Sequence, residues 1–288
     1  MLRFSKNCSY CGTKMDSFAE KCPNCEEKNP DPVIEKEKMA AVYPWWKQIL
    51  FFVTGWLFFN IVAYPIAFLL GALGYGSGAF INYTVYLVTF TAMIFVIWND
   101  FHPLFKSFKS WKPYVFGIAG YILLLILENG WGIISTIIFS LLNIAKSTNA
   151  NEAAVQQVVQ TYPFMSLIIF GIIGPICEEL TYRVGLFSLT RRVNIVLAYF
   201  VSIGVFALIH FDQKSVINII LDPSQDNLVD LIVELLNLPA YLMAGAVFTF
   251  LYHKWGFAAS LTAHVTNNSI INILAIISKL INSIIQNA

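Results

Sequence analysis

Long apolar stretches separated by short polar segments make up most of the chain. No Asp, Glu, Lys or Arg lies between Lys47 and Asp100, and residues 153–177, 193–211 and 255–278 also lack these charges. A helix needs about 20 apolar residues to cross the hydrocarbon core of a bilayer. Because a backbone in lipid must satisfy its own hydrogen bonds, these stretches are predicted to be transmembrane helices.

The pattern predicts an all-α polytopic membrane helix bundle with seven to eight spans within residues 45–288. The seven spans are expected at about 48–70, 80–98, 114–143, 164–189, 193–211, 235–252 and 256–285. An eighth membrane element would arise if the last span breaks, or from the apolar residues 216–221.

The overall composition supports a membrane protein and argues against other classes. Hydrophobic residues make up 57% of the 288 residues and charged residues only 12%, whereas soluble domains carry about 25% charged residues. A soluble enzyme and a disordered protein are therefore excluded. The net charge of +1 argues against a basic nucleic-acid binder, so no nucleic-acid partner is expected.

The polar N-terminal segment, residues 1–30, contains two Cys-x-x-Cys pairs. They supply Cys8, Cys11, Cys22 and Cys25, a ligand set typical of a tetrahedral structural Zn²⁺ site. We expect a small β zinc ribbon here, with Gly12 and Asn24 in its tight turns, and a charged linker over 31–44. The alternative is a pair of disulfides in an extracellular domain. Zinc thiolates require a reducing compartment, which would place the ribbon in the cytosol.

The basic residues of the loops favour the same orientation. With the N-terminus inside, the short cytosolic loops carry Lys106, Lys109, Lys112, Arg191, Arg192 and Lys254. The opposite loops carry only Lys146, Lys214 and Lys279. This excess is the positive-inside pattern. The loop 212–234, which is rich in acidic residues, is expected outside the cell.

The fourth predicted span contains an unusual group of charged residues. Glu178 and Glu179 are adjacent, and Arg183 follows Glu179 by one helical turn. Residues four apart share a helix face, so Glu179 and Arg183 can pair. Glu178 points about 100° away and is left free to face a cavity. Pro175 cannot donate to the carbonyl of Gly171, which predicts a kink just before Glu178.

Three other spans also carry polar residues. His210 ends the fifth, and His264 and Asn268 lie four residues apart in the seventh. Glu128 in the third is expected to be structural or to mark a helix break. Taken singly, such residues most often form hydrogen bonds between helices. Taken together, acids, histidines, an amide and an arginine are what water-activated hydrolysis requires.

These residues form three motifs that resemble those of the CPBP family, the CAAX proteases and bacteriocin-processing enzymes, also called the Abi family. The motifs are EExxxR at Glu178, Glu179 and Arg183, FxxxH at Phe206 and His210, and HxxxN at His264 and Asn268. The resemblance covers about residues 160–275. It implies a polytopic intramembrane endopeptidase.

The resemblance also implies roles for the motif residues. Glu178 would be the general base that activates water, and His210 would position that water or bind a metal. His264 and Asn268 would stabilise the oxyanion or complete a metal site. Glu179 and Arg183 would be structural or balance charge. The family is described both as metalloproteases and as metal-independent glutamate enzymes. The resemblance therefore does not decide whether the site contains a catalytic metal.

The depths of the three central residues are difficult to reconcile. At 1.5 Å per residue, Glu178, His210 and His264 lie roughly 20, 25 and 12 Å from the cytosolic ends of their spans. Tilted or kinked helices could bring them together; otherwise one span boundary is wrong.

The resemblance indicates only the general class of substrate. Expected substrates are membrane-associated proteins or peptides, including prenylated ones, with bacteriocin maturation or self-immunity as a biological role. The Ile-, Asn- and Lys-rich composition favours the cell membrane of a Gram-positive bacterium, and the zinc ribbon could bind a protein partner. The main alternative is a non-catalytic membrane scaffold that regulates another envelope protein. A transporter is disfavoured because no inverted repeat is visible.

Overall fold

The computed structural model describes residues 5–8, 10–16, 19, 21–27 and 43–287. The predicted linker therefore lies outside the described residues up to residue 42. The N-terminal part forms a two-stranded antiparallel hairpin. Strand β1 is Ser5–Asn7 and β2 is Lys14–Asp16, with Lys6 opposite Met15. This hairpin agrees with the small β ribbon that was predicted.

The rest of the described chain is helical. The main helices are α1 Trp45–Ala72, α2 Gly78–Ile97, α3 Lys112–Leu141, α4 Ala150–Thr161, α5 Pro163–Thr190, α6 Ile195–Leu208, α7 Gln213–Leu221, α8 Gln225–Trp255 and α9 Phe257–Asn287. A helical turn at His102–Phe105 and a 3₁₀ turn at Ser107–Lys109 connect α2 to α3. The protein is a multi-pass membrane helix bundle, as predicted.

Six helices are long and apolar enough to cross a membrane within the part of the chain that the structure describes: α1, α2, α3, α5, α8 and α9. The fifth predicted span, 193–211, differs from expectation. Helix α6 has only 14 residues, and α7 follows it after a bend of 67°. The apolar residues 216–221 therefore belong to this bent fifth element, which can count as a seventh span.

Two other expectations are corrected in part: Glu128 does not mark a helix break, and the acidic segment 212–234 is not an irregular loop. Helix α3 continues through Glu128 without a break, because in an apolar environment the backbone has no better partner than its own helix. Residues 212–234 are mostly helical, since α7 and the first turns of α8 occupy them.

Helix α5 lies at the centre of the bundle. In its most apolar part 61% of the residues are buried, compared with 6–33% in the other spanning helices. Two segments of α5, Ile169–Ile173 and Leu180–Phe187, have π-helical hydrogen bonding. Gly185 lets α1 approach closely, because a Cβ at this position would lie 2.7 Å from the backbone nitrogen of Phe52. The charged motif is thus carried by the most enclosed helix.

Candidate functional site

The local structure of α5 exposes two backbone carbonyls to α9. Pro175 has no N–H to donate to Gly171, and the π turn before it disrupts the regular ladder. The Ser269 hydroxyl instead donates to the Gly171 carbonyl at 3.1 Å, and the Asn268 amide donates to the Phe170 carbonyl at 3.1 Å. The irregular segment therefore fixes α9 against α5 next to Glu178.

Glu178 and both motif histidines lie together. Glu178 Oε2 is 3.6 Å from His264 Nε2 and 4.0 Å from His210 Nε2. Tyr86 on α2, which was not singled out in the sequence, borders the same cavity as Glu178. The expected mismatch in depth is absent, since both imidazoles lie within 4.0 Å of Glu178 Oε2.

Glu179 forms the predicted pair with Arg183 and also holds His264. Its Oε1 is 3.3 Å from Arg183 Nη1 and 2.9 Å from His264 Nδ1. Its Oε2 accepts a hydrogen bond from the Ser260 hydroxyl. Both charged side chains are fully buried. Glu179 thus orients the imidazole in addition to balancing the charge of Arg183.

Arg183 is enclosed by aromatic rings. Its guanidinium lies 4.3 Å from the ring centroid of Phe206 and 5.5 Å from that of Phe248. Its Nη2 donates to the Gly245 carbonyl at 3.4 Å. The first position of the FxxxH motif therefore has a physical role, since Phe206 covers the buried cation. Phe248 was missed because a single aromatic residue in an apolar helix carries no distinguishing signal.

A second polar group surrounds His210. Its imidazole stacks on the Tyr241 ring, with centroids 4.5 Å apart and an angle of 13° between the planes. Asn151 Nδ2 lies 3.3 Å from His210 Nδ1, and Asn149 Nδ2 donates to the His210 carbonyl at 3.0 Å. These partners carry only a weak signal along the chain, namely an amide-rich segment between two apolar stretches.

A cavity of about 990 Å³ contains these side chains. It extends from the centre of the bundle to the end where α4 lies and α9 finishes. Its lining includes Glu178, His210, His264, Asn268, Glu128, Asn151, Glu152, Tyr241 and Lys279. Asn268 lines this cavity, although its amide nitrogen is bonded to α5. All the candidate membrane residues thus border the cavity except Glu179 and Arg183, which lie behind them.

The four N-terminal cysteines also come together. Cys8 Sγ is 3.7 Å from Cys25 Sγ, and Cys11 Sγ is 3.5 Å from Cys22 Sγ. A tetrahedral Zn²⁺ with bonds of about 2.3 Å separates its sulfur ligands by about 3.8 Å. In the described part of the chain they are the one group of three or more His, Cys, Asp or Glu with ligand atoms within 4.8 Å of one another. They can hold a metal ion.

The two turns that carry these cysteines have matching hydrogen bonds. Gly12 donates to the Cys8 carbonyl at 2.9 Å and Glu26 donates to the Cys22 carbonyl at 3.0 Å. Gly12 has φ 70° and Glu26 has φ 56°. The residue in the left-handed conformation of the second turn is therefore Glu26, and Asn24 lies within this turn, as predicted. The Thr13 hydroxyl, 3.2 Å from Cys11 Sγ, lowers the pKa of Cys11 to about 6 and so favours the thiolate.

Comparison with known proteins supports the resemblance. Residues 160–270 match the family model described as Type II CAAX prenyl endopeptidase Rce1-like, and the predicted recognition is confirmed over this segment. It contains α5, α6, α7, α8 and the motif part of α9. No curated protein and no solved structure matches the chain. The family is one of intramembrane proteases, which supports a CAAX-type intramembrane endopeptidase.

Proposed function

We propose that this protein is an intramembrane endopeptidase in which Glu178 is the general base. The observation that carries the proposal is the position of Glu178 Oε2, within 4.0 Å of both His210 Nε2 and His264 Nε2 at the inner end of a large cavity. A carboxylate, two imidazoles and a polar cavity that can admit water and a peptide are sufficient for general acid–base hydrolysis.

We infer a reaction that this geometry supports. Glu178 takes a proton from water, and the resulting hydroxide attacks the carbonyl carbon of the peptide bond. An imidazole N–H beside Glu178 is close enough to stabilise the charge that develops on the carbonyl oxygen. The protonated Glu178 then donates to the leaving nitrogen as the C–N bond breaks. Asn268 acts in the same cavity by holding α9 against α5, and Glu179 and Arg183 keep His264 in place.

We further infer the side from which substrates enter. The cavity reaches α4 and Lys279, at the end of the bundle opposite to Trp45, where the first spanning helix begins. If the N-terminus is cytosolic, the site opens toward the outer face of the membrane. This favours peptides and membrane proteins at that face, bacteriocin precursors among them, over prenylated proteins on the cytosolic face.

The N-terminal cysteines have a separate proposed role. We infer that Cys8, Cys11, Cys22 and Cys25 bind one structural Zn²⁺ and that residues 1–30 form a cytosolic zinc ribbon. Residues 31–44 would link it to a protease domain over 45–288. The sulfur separations of 3.5 and 3.7 Å support a tetrahedral thiolate site. The ribbon would be available to a protein partner at the cytosolic surface.

Peptide cleavage by the full chain in lipid nanodiscs tests the proposal. The probes are a farnesylated CAAX peptide, its unprenylated counterpart and a set of fluorogenic transmembrane peptides. Glu178→Gln should lower kcat by about 10²- to 10⁴-fold, because it removes a general base and keeps the side-chain shape. Asp230→Asn, the same change at an exposed position of α8, is the matched control and should cleave normally.

The result also separates an enzyme from a scaffold. Loss of cleavage in Glu178→Gln with unchanged membrane abundance supports the protease. Cleavage that persists in Glu178→Gln contradicts it. If a cellular phenotype of the gene deletion is restored equally well by Glu178→Gln and by the wild type, the protein acts as a scaffold in that process.

A further inference from the structure

We propose that Asn151 fixes the tautomer of His210, so that His210 Nε2 carries a proton and faces Glu178 as a hydrogen-bond donor. Asn151 lies in α4, outside the segment that matches the family model. It would be a positioning residue that acts through His210. The catalytic consequence rests on the proposed function, whereas the tautomer itself does not.

The orientation of the Asn149 side chain is set by backbone groups of known polarity. Its Oδ1 accepts from the backbone N–H of Glu152 at 3.0 Å, and its Nδ2 donates to the backbone carbonyl of His210 at 3.0 Å. A backbone N–H can only donate and a carbonyl can only accept. The oxygen and nitrogen of this amide therefore cannot be exchanged.

The fixed Asn149 oxygen then determines the hydrogen bonds of Tyr241. The Tyr241 hydroxyl donates its single hydrogen to Asn149 Oδ1 at 3.2 Å. Its oxygen is left to accept, and it lies 3.4 Å from Asn151 Nδ2. Asn151 must therefore present its NH₂ group to this cluster, because a carbonyl oxygen facing the hydroxyl oxygen would find no hydrogen.

The same NH₂ group faces His210. Asn151 Nδ2 lies 3.3 Å from His210 Nδ1, and the stacked Tyr241 ring fixes the plane of the imidazole. Since Asn151 donates, Nδ1 must accept with its lone pair. In a neutral imidazole the proton then sits on Nε2, the atom 4.0 Å from Glu178 Oε2.

His264 has the opposite arrangement. Its Nδ1 lies 2.9 Å from Glu179 Oε1, a carboxylate oxygen that also faces Arg183 and therefore accepts. In a neutral His264, Nε2 then presents a lone pair, 3.6 Å from Glu178 Oε2. One histidine thus accepts beside Glu178 and the other donates. His210 is suited to stabilise the oxyanion through Nε2–H without giving up its proton, while Glu178 exchanges protons with water and the leaving nitrogen.

This arrangement does not fit a metal ion held by both histidines. Binding through both Nε2 atoms would require a lone pair on each. His210 would then carry its proton on Nδ1, pointing at the NH₂ group of Asn151, so that two donors would face each other.

The tautomer can be measured directly in the full chain. In nanodiscs with ¹⁵N-labelled histidine, imidazole NMR of the wild type should show His210 with an unprotonated Nδ1 and a protonated Nε2. Asn151→Asp replaces the donor with an acceptor and should protonate Nδ1. A wild-type His210 protonated on Nδ1, or an Nδ1 that stays unprotonated in Asn151→Asp, would overturn the proposal whether or not the protein cleaves peptides.

The kinetic test uses Asn151→Leu, which has a similar volume and no donor. The probe is whichever of the fluorogenic peptides above the wild type cleaves. We expect kcat to fall about 10- to 100-fold with little change in KM, since only a stabilising interaction of the transition state is weakened. Gln157→Leu on the exposed side of the same helix is the control and should keep wild-type kinetics. An unchanged kcat in Asn151→Leu contradicts the positioning role.

Metal analysis adds an independent check. The full chain should contain one metal ion, held by the cysteines, and His210→Ala should contain the same amount. A second ion in the wild type that is lost in His210→Ala would show that His210 is a metal ligand, and the assigned tautomer would be wrong. If no peptide is cleaved by any variant while the NMR result holds, the proposed function fails and the assignment of the tautomer stands.

Discussion

The Glu179→Gln change should destabilise the folded protein strongly, whereas the same change at Glu178 should not. Glu179 faces three partners in the interior: the Arg183 guanidinium, His264 Nδ1 and the Ser260 hydroxyl. Replacing the carboxylate with an amide keeps the volume but removes the negative charge. Arg183 is left as a cation with 0% exposure and no counter-charge in contact.

The magnitude follows from how Arg183 is bound. Its Nη1 is close enough to Glu179 for an ion pair, but neither Nε nor Nη1 finds a hydrogen-bond acceptor among the described residues. The remaining support is one long bond from Nη2 to Gly245 and the faces of two aromatic rings. Breaking a buried ion pair by removing one partner costs about 3–5 kcal/mol. We expect a loss of stability in this range.

Thermal unfolding of the purified protein in detergent, followed by tryptophan fluorescence, measures the effect. A loss of about 3–5 kcal/mol corresponds to a decrease of roughly 10 °C in Tm for a protein of this size. Abundance in the membrane should fall in parallel. Glu178→Gln is the matched control, because it removes a carboxylate from the adjacent residue of the same helix but one that borders the cavity.

A double substitution isolates the cause. Combining Glu179→Gln with Arg183→Met removes the unpaired charge, so much of the lost stability should return. A Glu179→Gln protein as stable as the wild type would refute the reasoning. So would a double variant less stable than the sum of the two single changes, since the pair would then not be coupled as its geometry indicates.

Three further predictions concern the ends and loops of the chain. Cys11→Ser should lower bound zinc from one ion per chain to nearly none, as measured by metal analysis. Glu26→Gly should stabilise the ribbon by about 1 kcal/mol, seen as greater resistance to a zinc chelator, because glycine adopts φ 56° without strain. Single cysteines at Lys109 and Lys279 should be labelled by an impermeant reagent in intact cells only at the second position, and labelling at Lys109 would reverse the proposed orientation.

The sequence predicted those features that depend on neighbours along the chain. Apolar length located six of the seven predicted spans as helices long enough to cross a membrane, because a bilayer imposes a minimum number of apolar residues on each. Helical spacing predicted the contact between Glu179 and Arg183, and the cysteine spacing predicted a cluster of four sulfurs. The predicted i+4 relation of His264 and Asn268 was also sound, although their partners on α5 could not be named.

Features that depend on packing between distant segments needed the tertiary structure. Helical periodicity shows which face of a helix is apolar, but it does not show which helix covers that face. The convergence of Glu178, His210 and His264 is of this kind, because it depends on how three helices pack against one another.

The polar contacts of the two histidines also join segments that are far apart in the sequence. Glu179 meets His264 across 85 residues of sequence, and Asn151 meets His210 across 59. The sequence alone thus determined which chemical groups enter the membrane. Only the packing of the helices decided which nitrogen of each histidine faces Glu178, because hydrogen-bond partners on other helices set the tautomer.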